Sequence, residues 1–170
     1  MSLKPIAIKD FAPRIFHLFD EQWLLLACGD LSQRHFNVMT ISWGSMGTIW
    51  ERPFVQVVVR PTRYTFEFLN RYDSFTVSAF AEDQRNALSL LGSLSGRDGD
   101  KLADSGLTPV PAQNVASPGF AEAELRLECR KLFWQDFDPG HFVDPAIEKH
   151  YPEKDYHRMF LGEVVGIFGK

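Results

Sequence analysis

Two arginines and two threonines occupy the stretch 59–65, where a β-branched run gives way to a predicted helix. The guanidinium groups of Arg60 and Arg63 are forked donors, and Thr62 and Thr65 place hydroxyl groups beside them. Free N–H groups in the first turn of a helix complete an arrangement that is typical of phosphate binding. The alternative is a helix capped by one of the threonines, with both arginines in solvent. The combination favours an anion site.

Polar and aromatic side chains also alternate along the predicted strand 36–43. Successive strand residues point to opposite faces, so Thr40 and Ser42 share one face and Trp43 lies on the other. Hydroxyl groups and the amide of Asn37 suit the heteroatoms of a flat polar heterocycle, and an indole suits its face or flank. On spacing alone, an ordinary strand with surface hydroxyl groups is the alternative.

The polar loop 95–101 brings Ser95, Arg97 and Lys101 together with flexible backbone N–H groups. Its glycine spacing is one residue short of a Walker phosphate loop, and no Lys-Ser or Lys-Thr pair follows. It does not match a calcium loop either, because Leu102 stands where an oxygen ligand is needed. Local chemistry alone therefore predicts an exposed turn.

Histidines and cysteines give no catalytic or metal site by their spacing. His150 and His157 have carboxylates nearby, but the proline-containing segment between them lacks the spacing that places two ligands on one helix face. Cys28 and Cys129 lie in apolar strands, where a thiol is usually inert. We expect no metal and no catalytic triad.

Composition places the chain among ordinary globular proteins. It has 170 residues, 45% of them hydrophobic and 24% charged, which predicts a single domain over residues 1–170. A net charge of −4 argues against a nucleic-acid partner. Residues 1–19 lack the apolar core of a signal peptide, and no apolar run is long enough to span a bilayer. We therefore expect a cytoplasmic protein without a membrane partner.

Short apolar or alternating runs predict strands at 23–28, 36–43, 54–59, 75–80, 120–134 and 156–168. Helices are expected over residues 62–72 and from an Asp83 cap to Leu94, with a further short helix ending at Gly106. The alternation in 120–134 predicts a half-solvated strand, with Arg126 and Glu128 on its wet face. Such a pattern predicts a mainly β, antiparallel barrel with short inserted α-helices.

Five segments taken together resemble one known family. They are Asn-x-Met-Thr-Ile-Ser-Trp-Gly at 37–44, Val-Arg-Pro-Thr-Arg-Tyr-Thr at 59–65, Phe-Thr-Val-Ser-Ala-Phe at 75–80, Ser-Gly-Arg-Asp-x-Asp-Lys at 95–101 and Gly-Glu-Val-Val at 162–165. In this order, over about residues 22–167, they resemble the flavin reductase-like, FMN-binding split-barrel family, which includes flavoredoxins.

The resemblance implies a split β-barrel with Greek-key-like topology and FMN as the cofactor. It implies a homodimer with FMN near the subunit interface, and hydride transfer from NAD(P)H to free flavin or a small-molecule acceptor. Hydride chemistry at the flavin needs no protein nucleophile. A flavoredoxin-like electron carrier for a protein partner and a non-catalytic FMN-binding protein are the alternatives.

The resemblance also assigns residues to the expected cofactor site. Those expected around the isoalloxazine ring and the ribityl chain are Asn37, Met39, Thr40, Ile41, Ser42 and Trp43. Those expected to hold the phosphate or ribityl oxygens are Arg60, Arg63, Tyr64 and Thr65. Those expected to close over the flavin are Ser95, Gly96, Arg97 and Lys101. Phe80 is expected to border the ring.

Overall fold

An eight-stranded antiparallel sheet forms the body of the computed structural model, which describes residues 3–170. Its strands are β1 (Lys4–Pro5), β2 (Leu24–Asp30), β3 (His35–Ile41), β4 (Gly44–Ile49), β5 (Arg52–Val59), β6 (Ser74–Ala79), β9 (Leu125–Asp136) and β10 (Arg158–Gly169). A separate pair consists of β7 (Pro109–Val110) and β8 (Gly119–Phe120). Along the large sheet the order is β3-β2-β6-β9-β10-β5-β4, and β1 pairs with β10.

Short helices fill the connections between strands. The α-helices are α1 (Tyr64–Arg71), α2 (Arg85–Ser93) and α3 (Lys101–Ser105). The 3₁₀ turns are Ile8–Asp10, Glu82–Gln84, Pro139–His141 and Pro145–His150, and His17–Gln22 forms a π-helical turn. None of the helices in residues 3–170 combines the length and the apolar character needed to cross a membrane.

Strand β2 has apolar residues buried on both of its faces. Leu24 and Leu26 belong to the main core, which lies inside the curved sheet. Leu25 and Ala27 belong to a second apolar cluster, which α2 and the β8 region cover with residues such as Leu88. The continuous apolar run in 23–28 therefore corresponds to a strand whose two faces are both buried.

Several local predictions need correction. Residues 44–49 form strand β4, although their glycines predicted only the end of β3. Asp83 does not cap α2, because it lies in the 3₁₀ turn before it and Gln84 holds the cap position. Arg63 precedes α1 without a side-chain capping bond, and the Thr65 hydroxyl instead accepts a hydrogen bond from Asn37.

The prediction that Arg126 and Glu128 lie on a solvent-exposed face of β9 is wrong. Glu128 is fully buried, and its Oε1 lies 2.9 Å from Nε of Arg126. Its carboxylate also accepts the backbone N–H groups of Gln113 at 2.9 Å and Asn114 at 2.7 Å. The proline-rich segment 108–119 folds across this face, so strand alternation identified the two faces but not what covers them.

The β9–β10 hairpin carries a long excursion, residues 137–157. Asp136 and Arg158 are opposite partners where the strands close, and two hydrogen bonds of 2.7 and 2.9 Å join their side chains. The hydrogen bond to Arg158 holds the pKa of the Asp136 carboxyl below its usual value. Residues 137–157 therefore leave the sheet and rejoin it at the pair of Asp136 and Arg158.

Gly162 lies at a register shift between β9 and β10, where a side chain has no space. A Cβ atom there would lie 2.5 Å from Cζ of Phe75 and 2.8 Å from Cβ of Cys129. We expect Gly162→Ala to lower the free energy of unfolding by about 1–3 kcal/mol, because the core would be overpacked. Urea unfolding measures the loss, with Gly99→Ala, whose Cβ would meet no atom within 4 Å, as the control. Equal unfolding midpoints for the two variants would contradict the prediction.

Candidate functional site

A small pocket forms where β3, the start of α1, the end of α2 and the loop before α3 meet. We refer to it as the cation pocket; it measures about 70 Å³ and is lined by Asn37, Met39, Thr62, Arg63, Tyr64, Thr65, Ser93, Leu94, Ser95, Gly96 and Lys101. Seven of the residues expected around the cofactor therefore share one cavity with Lys101. They come from three separated stretches of the chain.

Two positive side chains dominate this pocket. Nη2 of Arg63 donates to the carbonyl of Gly92 at 2.6 Å. Nζ of Lys101 donates to the carbonyls of Leu91 and Leu94 at 2.9 and 3.0 Å. Within residues 3–170, neither cation forms a salt bridge with a carboxylate. Main-chain carbonyl groups at the end of α2 therefore stabilise the two positive charges, and no carboxylate among residues 3–170 does so.

The protonation of Lys101 reflects this environment. Burial, and secondarily the positive charge of Arg63, lower the pKa of Lys101 to about 8. Burial also lowers the pKa of Arg63. Two cations held together in a partly desolvated pocket favour an anion between them, since an anion would relieve their mutual repulsion.

The loop 95–101 fits closely against β3 and α1. A Cβ atom on Gly96 would lie 2.3 Å from Oδ1 of Asn37 and 3.2 Å from Cδ1 of Tyr64. Nδ2 of Asn37 donates to the hydroxyl of Thr65 at 2.8 Å, which joins β3 to α1. Gly96 therefore packs against the wall of the pocket and is only partly exposed, whereas residues 97–100 of the loop are exposed, as local chemistry predicted.

A second groove lies next to the cation pocket along β3, and Met39 lines both. This tryptophan groove measures about 220 Å³ and is lined by Met39, Thr40, Ile41, Ser42, Trp43, Val58, Arg60 and His157. Trp43 is 44% exposed, and its ring meets the edge of His150 at a centroid distance of 5.3 Å. Its indole is therefore available at the mouth of the groove.

His157 forms the opposite wall of the tryptophan groove. Its ring lies 5.4 Å from that of Trp43, and its Nδ1 is 2.8 Å from the hydroxyl of Tyr151. Burial, and then the charge of Arg60, lower the pKa of His157 to about 4. The imidazole is therefore neutral near pH 7.

Arg60 faces this groove and not the cation pocket. Its Nη1 lies 2.6 Å from Oδ1 of Asp155, and its Nη2 donates to the carbonyl of His150 at 2.7 Å. Its guanidinium also covers the ring of Tyr151 at 4.9 Å. The structure thus separates the two arginines: Arg60 ties segment 137–157 to the barrel, whereas Arg63 stands beside Lys101.

Comparison with known proteins identifies the family. Residues 19–169 match the model of the flavin reductase like domain. The chain belongs to this family. The family predicted from the five sequence segments is thereby confirmed.

Relatives of this flavin reductase-like chain are distant in sequence. An uncharacterized protein of Pyrococcus abyssi is 29% identical over 122 residues, which are 71% of this chain and 69% of that protein. An uncharacterized protein of Archaeoglobus fulgidus is 24% identical, and the match covers 77% of this chain and 64% of that protein.

Solved structures share the fold. An FMN-binding domain of a flavin reductases-like enzyme from Shewanella baltica OS155 has a TM-score of 0.71 at 20% identity, covering 98% of this chain and 76% of that one. The NADH:FAD oxidoreductase SgcE6 of Streptomyces globisporus has a TM-score of 0.66 at 20% identity, covering 92% and 80%. These likenesses confirm the predicted fold class, a mainly antiparallel β architecture with short helices.

Two expected site residues of the flavin reductase-like chain lie outside both cavities. Arg97 lies at the rim, where its guanidinium covers Tyr64 at 4.9 Å and pairs with Glu67. Phe80 packs against Phe120 in the second apolar cluster and lines a different cavity. Within one copy of residues 3–170, Phe80 is therefore separate from the other expected residues.

Sequence reasoning did not include two groove residues. His157 was considered only as a metal ligand, and Val58 only as part of a strand. The pairing of Val58 with Met159 on β10 brings this end of β5 beside His157. No local signal indicates such a contact, because residues 58 and 157 are distant in sequence.

Proposed function

We propose that this chain binds FMN and transfers hydride from NADH or NADPH through it to free flavin or to a small-molecule acceptor. One observation carries the proposal: Arg63 and Lys101 lie in one pocket at the start of α1, next to the tryptophan groove, and neither forms a salt bridge with an acid among residues 3–170. A dianionic phosphate supplies the missing negative charge.

The cation pocket has the donors that a flavin phosphate needs. Arg63 and Lys101 supply charge-assisted hydrogen bonds, and the first turn of α1 adds backbone N–H groups and the positive end of its dipole. Tyr64 and Thr65 begin that turn. The Shewanella baltica relative is an FMN-binding domain, which supports FMN as the cofactor.

The tryptophan groove suits the ring end of the same ligand. Ser42 brings a hydroxyl group to this end of β3, and Trp43 provides an aromatic edge. Thr40 also lines the groove, while its own hydroxyl donates to the carbonyl of Leu88. When bound, FMN supplies hydride chemistry at its isoalloxazine ring. The chain orients that ring and limits the access of water, with the neutral His157 fixed by Tyr151 across the groove.

A homodimer is part of the proposal. Trp50 and Phe133 form an exposed aromatic pair with ring centroids 6.0 Å apart. Clustered exposed aromatic side chains are typical of a surface that a partner covers. Light scattering on the purified protein tests for a dimer.

A cytoplasmic location stays a prediction.

Absorbance spectroscopy tests the function directly. FMN is added to the purified protein, free flavin is removed, and NADH or NADPH is supplied without oxygen. We expect retained flavin bands that bleach with at least one donor and recover on adding free flavin. Retained flavin that neither donor reduces would contradict the reductase and favour an electron carrier. Failure to retain FMN would contradict the proposal as a whole.

The proposal predicts that FMN affinity falls at alkaline pH. Lys101 is charged below its pKa of about 8 and neutral above it, so binding above that pH requires proton uptake. Raising the pH from about 7 to about 9 should therefore raise the Kd about tenfold. Lys101→Met should bind more weakly and lose this pH dependence, as measured by fluorescence titration. Riboflavin, which lacks the phosphate, is the control, and an equal pH dependence for riboflavin would contradict the role of Lys101.

A further inference from the structure

An apolar cavity lies under the N-terminal segment (residues 6–16), apart from the candidate flavin site. It measures about 220 Å³, and we refer to it as the N-terminal cavity. Its floor consists of four side chains of the main core, each at most 5% exposed: Val55, Leu127, Val164 and Ile167. Within residues 3–170, no residue that lines it also lines the cation pocket or the tryptophan groove. A ligand in this cavity therefore need not touch the flavin.

The N-terminal segment covers this cavity from outside. Phe11 and Ile15 line it and pack against the main core, whereas Ile8 stands at its mouth and is 42% exposed. The N–H of Ile6 donates to the carbonyl of Ile167 on β10 at 2.8 Å. Beyond that bond, residues 7–16 form no backbone hydrogen bond to the sheet in the part of the chain that the structure describes. Apolar contacts, which have no fixed direction, therefore hold this segment, so it can adjust to a ligand.

The lining of the N-terminal cavity carries no charge. Among the lining residues in 3–170, only Thr48 has a polar side chain, and Thr48 is exposed. Met46 and Phe54 form the walls on β4 and β5. A charged or strongly polar ligand would lose its water here without finding a partner. The cavity therefore selects an uncharged apolar molecule, to which the flexible thioether of Met46 can adapt.

The volume of the N-terminal cavity limits the size of its occupant. A cube of this volume has an edge of about 6 Å, whereas a helix with its side chains is about 10–12 Å across. A helix therefore does not fit. An apolar cavity of about 150 Å³ stays dry and holds a benzene molecule, so one ring with a short alkyl substituent matches the space here. Such a ring restores the dispersion contacts that an unfilled cavity forfeits.

We propose that the N-terminal cavity binds an uncharged molecule with a single apolar ring, and that this ligand holds residues 8–15 against the barrel. A ring in the cavity contacts Val164 and Ile167 on the floor and Phe11 and Ile15 in the N-terminal segment. It therefore links that segment to the main core. Because its lining residues differ from those of the candidate flavin site, this binding does not rest on the proposed function.

Calorimetric titration of the purified full chain with toluene tests the proposal. Benzoate, which carries a carboxylate on the same ring, is the charged comparison. Ile8→Trp enlarges the side chain at the mouth of the cavity, and Val164→Leu fills part of its floor. Lys9→Trp is the matched control, because Lys9 is exposed in the same 3₁₀ turn as Ile8 and does not line the cavity.

We expect the wild type to bind toluene with a Kd below about 1 mM, and benzoate at least about tenfold more weakly. Ile8→Trp should raise the Kd for toluene about tenfold or more, and Val164→Leu about threefold or more. Lys9→Trp should leave this Kd within about twofold of wild type. Saturating the protein with FMN should also leave it within about twofold, because the two sites share no lining residue.

Hydrogen exchange gives a second readout for the N-terminal segment. At a toluene concentration ten times the Kd, the amides of residues 8–15 should exchange about tenfold more slowly, because exchange then requires the ligand-free state. The same slowing is expected in Lys9→Trp. It should be absent in Ile8→Trp at the same toluene concentration.

Other outcomes overturn the proposal in distinguishable ways. Equal affinity for toluene in Ile8→Trp, Val164→Leu and Lys9→Trp would place toluene elsewhere. Displacement of toluene by FMN would place it in the flavin site and leave the proposed function intact. If toluene does not bind, and light scattering shows a dimer that Ile8→Trp but not Lys9→Trp dissociates, the mouth of the cavity is a contact between two copies of this chain.

Discussion

Replacing Arg63 with methionine is expected to raise the Kd for FMN about 10- to 100-fold. A hydrogen bond to a charged group contributes about 1.5–3 kcal/mol, and burial beside Lys101 makes the loss of a cation more costly than at the surface. Methionine retains much of the packing volume of the arginine stem, so the change removes mainly charge and donors. Titration of the flavin-free variant with FMN gives the Kd.

Two other arginines make this prediction specific. Arg60→Met should change FMN affinity less, because the charge of Arg60 is paired with Asp155 and its guanidinium faces the tryptophan groove. Arg71 lies at the end of α1 that is farther from the cation pocket, so Arg71→Met should leave FMN affinity unchanged. Riboflavin affinity should be the same in wild type and Arg63→Met. A larger effect at Arg60 than at Arg63 would place the phosphate elsewhere.

Replacing Glu128 with leucine is expected to lower the free energy of unfolding by about 3–5 kcal/mol. The substitution leaves Arg126 buried without its partner and deprives the N–H groups of Gln113 and Asn114 of their acceptor. Breaking a buried pair from one side is costly because the remaining charge stays desolvated. Urea unfolding followed by circular dichroism measures the loss.

A surface carboxylate provides the comparison for this variant. Glu163→Leu removes the partner of the half-exposed Arg52, and a surface pair of this kind contributes about 1 kcal/mol or less. Glu128→Gln keeps the shape of the side chain and one carbonyl acceptor, so its loss of unfolding free energy should lie between those of Glu128→Leu and Glu163→Leu. This variant can still be measured if Glu128→Leu does not fold. Equal losses in Glu128→Gln and Glu163→Leu would show that segment 108–119 moves and admits water.

The strands could be predicted because apolar periodicity is a local property. The run 23–28 and the alternation in 36–43 each indicated a strand that the structure contains, and the alternation in 120–134 indicated β9, which begins only at Leu125. What covers each face could not be predicted, because it depends on segments distant in sequence. Glu128 illustrates this: its position alternates with apolar residues, and only the fold of 108–119 buries it.

The candidate site was predictable in its composition but not in its orientation. The resemblance assigned Arg63 to the phosphate or ribityl oxygens and Lys101 to the loop closing over the same cofactor, and in the structure both residues line one pocket. Arg60 was expected there too, but the N–H of Arg63 bonds to the carbonyl of Arg60 at 3.0 Å, which forms a tight turn. Such a turn reverses the chain and sends the two side chains to different cavities.

The closed pair of Asp136 and Arg158 separates the sheet from the segment 137–157, which contributes His157 to the wall of the tryptophan groove. Because β9 and β10 come into register at that pair, lengthening or shortening 137–157 need not shift any strand. The entropy of closing such a loop changes only slowly with its length. The segment that carries His150, Tyr151 and His157 can therefore change in length without rebuilding the barrel.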